Sequence, residues 1–201
     1  MKPLKIILLT GLLLQFNCGS TCMAEYFNRT ARKESSKPDR VLKTLGIKPG
    51  EAVADIGSGG GYFALRFARL TGEKGIVFAV DVNPTFLKLV AKKAREAGLK
   101  NVRTVQARKD SSGLAPGSAD LIFMRNVFHH LKTPTRYFRD LRPVLRPGGR
   151  IAIIDYRPKF WIIGHNSSAK KIRKTMADAG YKLRAKYHFL PDQNFAIFGL
   201  D

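Results

Sequence analysis

Asp55 and Asp81 each stand at the end of a short apolar run, and Gly57, Ser58, Gly59 and Gly61 lie between them. Val53, Ala54 and Ile56 make the continuous apolar pattern of a strand buried in a parallel sheet. The glycines after Asp55 let the backbone turn tightly and approach a ligand with no side chain in the way. Phe63, Ala64, Phe67, Ala68 and Leu70 then recur at helical spacing, so a helix starts at the last glycine with its free N–H groups aimed at the same point. Strand, glycine loop and helix make a nucleotide-type cofactor site. A dinucleotide fingerprint needs G-x-G-x-x-G, and Tyr62 occupies the third glycine's place. The acid two residues before Gly57 also sits awkwardly beside a pyrophosphate and suits a ligand with an amine-bearing end. No Gly-Lys-Ser/Thr follows, which excludes a P-loop.

The elements that position these residues alternate along the chain. Pro38 opens a helix with Val41, Leu42 and Leu45 inside and Gly46 as its stop. Ile76 to Val80 is a strand ending in Asp81, and Pro84 starts a helix with Phe86, Leu87, Val90, Ala94 and Ala97 inward. Asn101 to Val105, Ala119 to Met124 and Arg150 to Asp155 are three further strands. Asn126 to Leu131 is a short helical turn carrying His129 and His130. Thr133 and Pro134 open a helix that Pro143 bends or shortens. Ser167 or Ser168 caps a helix ending at Gly180. Alternation over Tyr181 to Phe189 gives a strand with one wet face, and Asn194 to Leu200 is its hairpin partner. The expected fold is α/β, Rossmann-like and doubly wound, with a mostly parallel seven-stranded sheet and a C-terminal antiparallel hairpin. The polar stretch Glu25 to Lys37 reads as a lid-like or mobile approach.

VADIGSGGGYFAL, VFAVDVNP, SADLIFMRNVFHHL and LRPGGRIAIIDY, in this order, resemble the four sequential motifs of class I S-adenosylmethionine-dependent methyltransferases. The likeness is greatest to the small-molecule branch that includes quinone-biosynthesis methyltransferases. It implies S-adenosylmethionine as cofactor, with Asp81 accepting from both ribose hydroxyls. It also implies Asp55 with Gly57, Ser58, Gly59 and Gly61 beside the methionine portion, Val82 flanking the ribose or adenine, and Asp110 facing the adenine amino group. Arg125 and Asn126 would line the methionine end. An activated methyl group needs mainly alignment, and a base only where the acceptor must lose a proton first. His129 is the candidate for that role, and His130 the packing residue beside it. Adjacent residues point apart and no carboxylate lies at helical spacing, so a metal pair is not expected.

The chain of 201 residues is long enough for one domain with a covered sheet. Its N-terminus has the order of a secretory signal: Lys2 and Lys5, an apolar stretch from Ile6 to Leu14, then small residues before Ala24. The expected division is a signal peptide over 1–24 and a methyltransferase domain over 25–201. The protein would then be exported or membrane-associated, with a cytoplasmic location as the alternative and membrane contact through the leader. Both cysteines, Cys18 and Cys22, fall in this leader, so the remainder has no cysteine nucleophile or thiolate metal ligand. A formal charge of +21 attracts polyanions. The cations are scattered and no RNA-binding signature accompanies them. A small-molecule acceptor is therefore expected ahead of RNA or protein, or of a cofactor-binding module without catalysis.

Overall fold

Apolar runs flanked by turn residues form the strands of one seven-stranded sheet in the computed structural model, which describes residues 19–158 and 166–200. The strands are β1 (Ala52–Ile56), β2 (Ile76–Asp81), β3 (Val102–Gln106), β4 (Ala119–Arg125), β5 (Leu145–Tyr156), β6 (Lys182–Tyr187) and β7 (Gln193–Gly199). Their order is β3-β2-β1-β4-β5-β7-β6. The first five pair in parallel, and β7 runs antiparallel to both β5 and β6. This is the Rossmann-like arrangement expected, and it sets β1 beside the central strand β4, with the order reversing between the two. At such a switch point the loops leave the carboxyl ends of neighbouring strands in opposite directions and open a ligand crevice.

The helices are α1 (19–32), α2 (Pro38–Leu45), α3 (Tyr62–Thr71), α4 (Pro84–Glu96), α5 (Pro134–Asp140) and α6 (Ala169–Asp178). They cover both faces. On one, Phe63 and Phe67 of α3 pack on Phe123 of β4, with ring centroids 4.9 and 5.2 Å away. On the other, Phe128 stacks on Phe138 at 5.6 Å, beside Ile151, Ile153 and Met176. Because β1 is buried along its whole length, its only outlet is the turn after Ile56.

Three local features differ from the sequence reading. The stretch 25–37 is not a mobile approach: α1 continues to residue 32 and lies on the glycine loop. Its buried stripe is Ala24, Asn28 and Ala31, at helical spacing but with a polar residue in the middle, so no apolar period shows in the sequence. The Asn28 amide donates to the Gly60 carbonyl at 3.1 Å, and Glu25 pairs with Lys93 of α4. The 24/25 boundary thus falls inside α1, where Ala24 is fully buried. Second, β5 begins at Leu145 and absorbs Pro147–Gly149 through a register shift opposite Ala119 and Leu121. Third, a shift between Leu183 and Ala185 interrupts the alternation of β6 and leaves Leu183 exposed. No helix among the described residues is long and apolar enough to cross a membrane. The apolar stretch Ile6 to Leu14 lies outside the described residues.

Candidate functional site

The glycine loop is held from three sides. Gly57 and Gly61 take positive φ values of 75° and 84°, the left-handed region that other residues adopt at a cost. A side chain at Gly57 would overlap Val127 in the loop after β4. One at Gly60 would come within 2.5 Å of the Ala24 carbonyl in α1. From below, Asp81 Oδ2 accepts the Gly59 N–H at 2.9 Å, while its Oδ1 accepts the Asn83 N–H at 2.9 Å. The end of β2 therefore fixes the loop after β1. Burial raises the Asp81 carboxyl above its ordinary range, and the N–H donors of Asn83 and Gly59 work against that rise.

Asp55 lies deeper, with 3% of its surface exposed. Burial pushes its carboxyl up to about 7, an N–H bond from Ala64 opposes this, Asp81 raises it further and Arg125 lowers it. Ala64 is the third residue of α3, whose N-cap Gly61 has no side chain to offer. Asp55 therefore supplies from β1 the acceptor that caps α3. Val82 is exposed just beyond Asp81, and Phe27 of α1 packs edge-on against Phe86 at 6.0 Å near Gly59. Ala107 donates to the Asp81 carbonyl at 2.9 Å, which brings the loop after β3 alongside. Asp110 sits in that loop, exposed in the turn between Arg108 and Ser111.

The residues after β4 form a second polar layer. Arg125 crosses toward Asp55 and donates to Ser36 Oγ at 3.0 Å, and Ser36 in turn donates to the Thr30 carbonyl. Asn126 has a left-handed backbone, φ 57°, and accepts from the Gln193 amide at 2.6 Å. His129 lies on a 3-10 turn, Phe128–His130, with Nδ1 2.7 Å from Asp155 Oδ1 at the end of β5. His130, expected to pack, is instead exposed with its ring 4.0 Å away, and the His129 side chain is only 5% exposed.

The structure thus gathers Asp55, Gly57, Ser58, Gly59, Gly61, Asp81 and Val82 at one strand-end crevice. Arg125, Asn126 and His129 stand beside it, and Asp110 lies on its rim. Sequence reading missed Phe27, Asn28 and Ser36, whose α1 segment looked merely polar, and Gln193 and Asp155. Asp155 carried a usable signal: like Asp55 and Asp81, it is an acid ending an apolar strand. Phe160 and Trp161, which the sequence offers as walls of an apolar substrate pocket, and His165, a more remote candidate base, lie outside the described residues.

Comparison with known proteins accounts for this arrangement. The family described as "Methyltransferase domain" matches residues 54–153, from β1 through most of β5. The chain belongs to the class I S-adenosylmethionine-dependent methyltransferases. The ubiquinone/menaquinone biosynthesis C-methyltransferases UbiE of Vibrio vulnificus and Edwardsiella ictaluri are each 32% identical over 117 residues, 57% of this chain. The chain spans 45–47% of the length of these curated relatives. A SAM-dependent methyltransferase from Aquifex aeolicus superposes with a TM-score of 0.79 at 28% identity, covering 87% of this chain and 95% of that one. Geranyl diphosphate C-methyltransferase from Streptomyces coelicolor, crystallised with S-adenosyl-L-homocysteine, shares the fold at a TM-score of 0.69 and 16% identity, covering 83% of this chain and 80% of that one.

The residues present fit that cofactor. Ser58 Oγ is buried with no hydrogen-bond partner among the described residues, in the loop that would face the methionine portion. The glycines keep that loop free of side chains, and the two strand-end carboxylates complement an amine and a pair of hydroxyls.

The raised Asp55 carboxyl gives a test. A carboxyl raised in the fold favours the native state below the ordinary carboxylate range and loses that contribution as pH rises through about 7. Binding runs the other way, because a ligand ammonium selects the ionised form. With a group titrating near 7, the competent fraction grows about tenfold from pH 6 to 8. Calorimetry should therefore show S-adenosylhomocysteine binding about tenfold tighter at pH 8 than at pH 6. Asp55→Asn, which keeps an acceptor for the Ala64 N–H, should bind weakly with a flat profile. An equally steep profile in the variant would remove Asp55 from the site.

Proposed function

We propose that this chain transfers the methyl group of S-adenosylmethionine to a small-molecule acceptor bound over the carboxyl ends of β4 and β5. Asp81 and Val82 would hold the ribose and adenine side, with Asp110 at the adenine. Asp55, Ser58 and the glycine loop would hold the methionine side. The cofactor supplies an already activated methyl group. The protein's work is to align an acceptor in line with it and to keep water out.

Enclosure carries the small-molecule reading. The polar groups beyond β4 lie under cover: Arg125 is half-buried, the Gln193 residue is 4% exposed and the His129 side chain 5%. A macromolecular acceptor needs an open face, whereas a small one is wrapped by its site. Kinship with small-molecule C-methyltransferases supports the same reading. The net charge of +21 favours the rival acceptors, RNA or protein.

The N-terminal reading belongs to the same proposal. The chain is membrane-associated through a leader that stays attached, since α1 runs unbroken across residue 24 and seats Ala24 against Gly60. Mass spectrometry of the natural protein should find an N-terminus ahead of residue 19. A mature chain starting at Glu25 would overturn retention.

Incubation with methyl-labelled S-adenosylmethionine and fractionated extract of the source cells tests the activity. Label should enter the low-molecular-weight fraction. Label confined to RNA or protein would replace the acceptor class. Cofactor binding with no labelled fraction would leave a binding module without catalysis.

A further inference from the structure

The deepest unexplained polar contact is the one between His129 and Asp155. Each side chain is held by a different strand end: the 3-10 turn after β4 carries the imidazole, and Asp155 is the penultimate residue of β5. The strands pair in parallel, with Arg125 opposite Ile154, so the turn folds back over the end of β5. The Phe128 ring, stacked on Phe138, anchors the turn from below. Nδ1 and Oδ1 are 2.7 Å apart, with the carboxylate side chain fully buried. The other carboxylate oxygen, Oδ2, has no hydrogen-bond partner among the described residues.

A buried carboxylate is costly to retain for packing alone, and a strand end otherwise built of isoleucines has no need of one. An ionised carboxylate only accepts, so it fixes the proton of neutral His129 on Nδ1 and the lone pair on Nε2. Among the described residues, His130 is a titratable neighbour, with its ring 4.0 Å away on the exposed side. Arg125, on the adjoining strand end, is turned instead to Ser36 and Asp55.

We propose that Asp155 is a positioning residue that sets His129 as a general base, and that the acceptor is accordingly a weak O–H or C–H acid. This rests on the methyltransferase reading above and narrows its acceptor. In the step, the acceptor's proton passes to His129 Nε2 and its electron pair forms the new bond to the methyl carbon. The bond from that carbon to sulfur breaks with its electrons left on sulfur, giving neutral S-adenosylhomocysteine. The imidazolium then returns its proton to solvent. Acceptors that attack with a free lone pair, such as neutral amines, have no use for the pair.

Two measurements on the full-length protein test this separately from the activity. In the complex with S-adenosylhomocysteine, ¹⁵N NMR should find His129 protonated at Nδ1 in the wild type and redistributed toward Nε2 in Asp155→Asn. An Nε2–H tautomer in the wild type would overturn the pairing whatever the enzyme methylates. With the labelled fraction of the extract as acceptor, Asp155→Asn should lower kcat by about 10²–10⁴-fold. S-adenosylhomocysteine affinity should stay within twofold. The variant should regain rate steadily with rising pH, as the acceptor ionises unaided. A loss equal at every pH, a parallel loss of cofactor affinity, or a kcat within twofold of wild type would reduce Asp155 to a packing role. A labelled product identified as an N-methylated amine would overturn the acceptor class. The Nδ1–H tautomer with no labelled small molecule would instead defeat the reading on which the proposal rests.

Discussion

The bond from the Gly59 N–H to the Asp81 carboxylate is the constraint on which the site depends. It ties the loop after β1 to the end of β2, one residue beyond the Gly57 and Ser58 N–H groups that both reach the Val80 carbonyl. With the loop pinned, Gly57 meets Val127, Gly60 receives Asn28, and α3 starts at Gly61 with Asp55 capping it from below. The end of β2, the loop after β4 and α1 thus converge on the stretch from Gly57 to Gly61. A side chain at either Gly57 or Gly60 would push one of those partners away.

Burial raises both the Asp55 and the Asp81 carboxyls, and that convergence brings Asp81 close enough for its charge to disfavour ionisation of Asp55 further. Such a pair weakens the empty protein. It is sustained by backbone N–H donors to both acids and by Arg125 beside Asp55. A ligand that brings an ammonium group and two hydroxyls relieves the same strain, so the electrostatic cost in the fold becomes selectivity for the ligand. The layer beyond β4 follows the same pattern with different groups. Arg125 is satisfied by Ser36, Asn126 by Gln193 and His129 by Asp155, each from an element distant in sequence.

The glycine-loop half of the candidate site was legible in the sequence because its residues are local. Asp55 to Gly61 is one strand–turn–helix unit, and Asp81 ends the next strand, so periodicity and glycine spacing sufficed. The pairs across the sheet were not. Nothing in FHHL says that His129 rather than His130 turns inward, because that choice depends on where β5 ends and on how Phe128 seats the turn. Helix α1 escaped notice because Asn28 interrupts its buried stripe, and a stripe of Ala24, Asn28 and Ala31 carries almost no apolar signal. The uneven β6 hides for a different reason: its register shift is a property of the pairing with β7 and leaves the alternating sequence unchanged.

The central claim is that the strand-end carboxylates and the glycine loop hold S-adenosylmethionine. A crystal structure of the complex with S-adenosylhomocysteine tests it most directly. The ribose hydroxyls should lie within hydrogen-bond distance of Asp81, with the amino end over the glycine loop on the Asp55 side. A ligand seated elsewhere, or one whose ribose turns away from Asp81, would contradict the account.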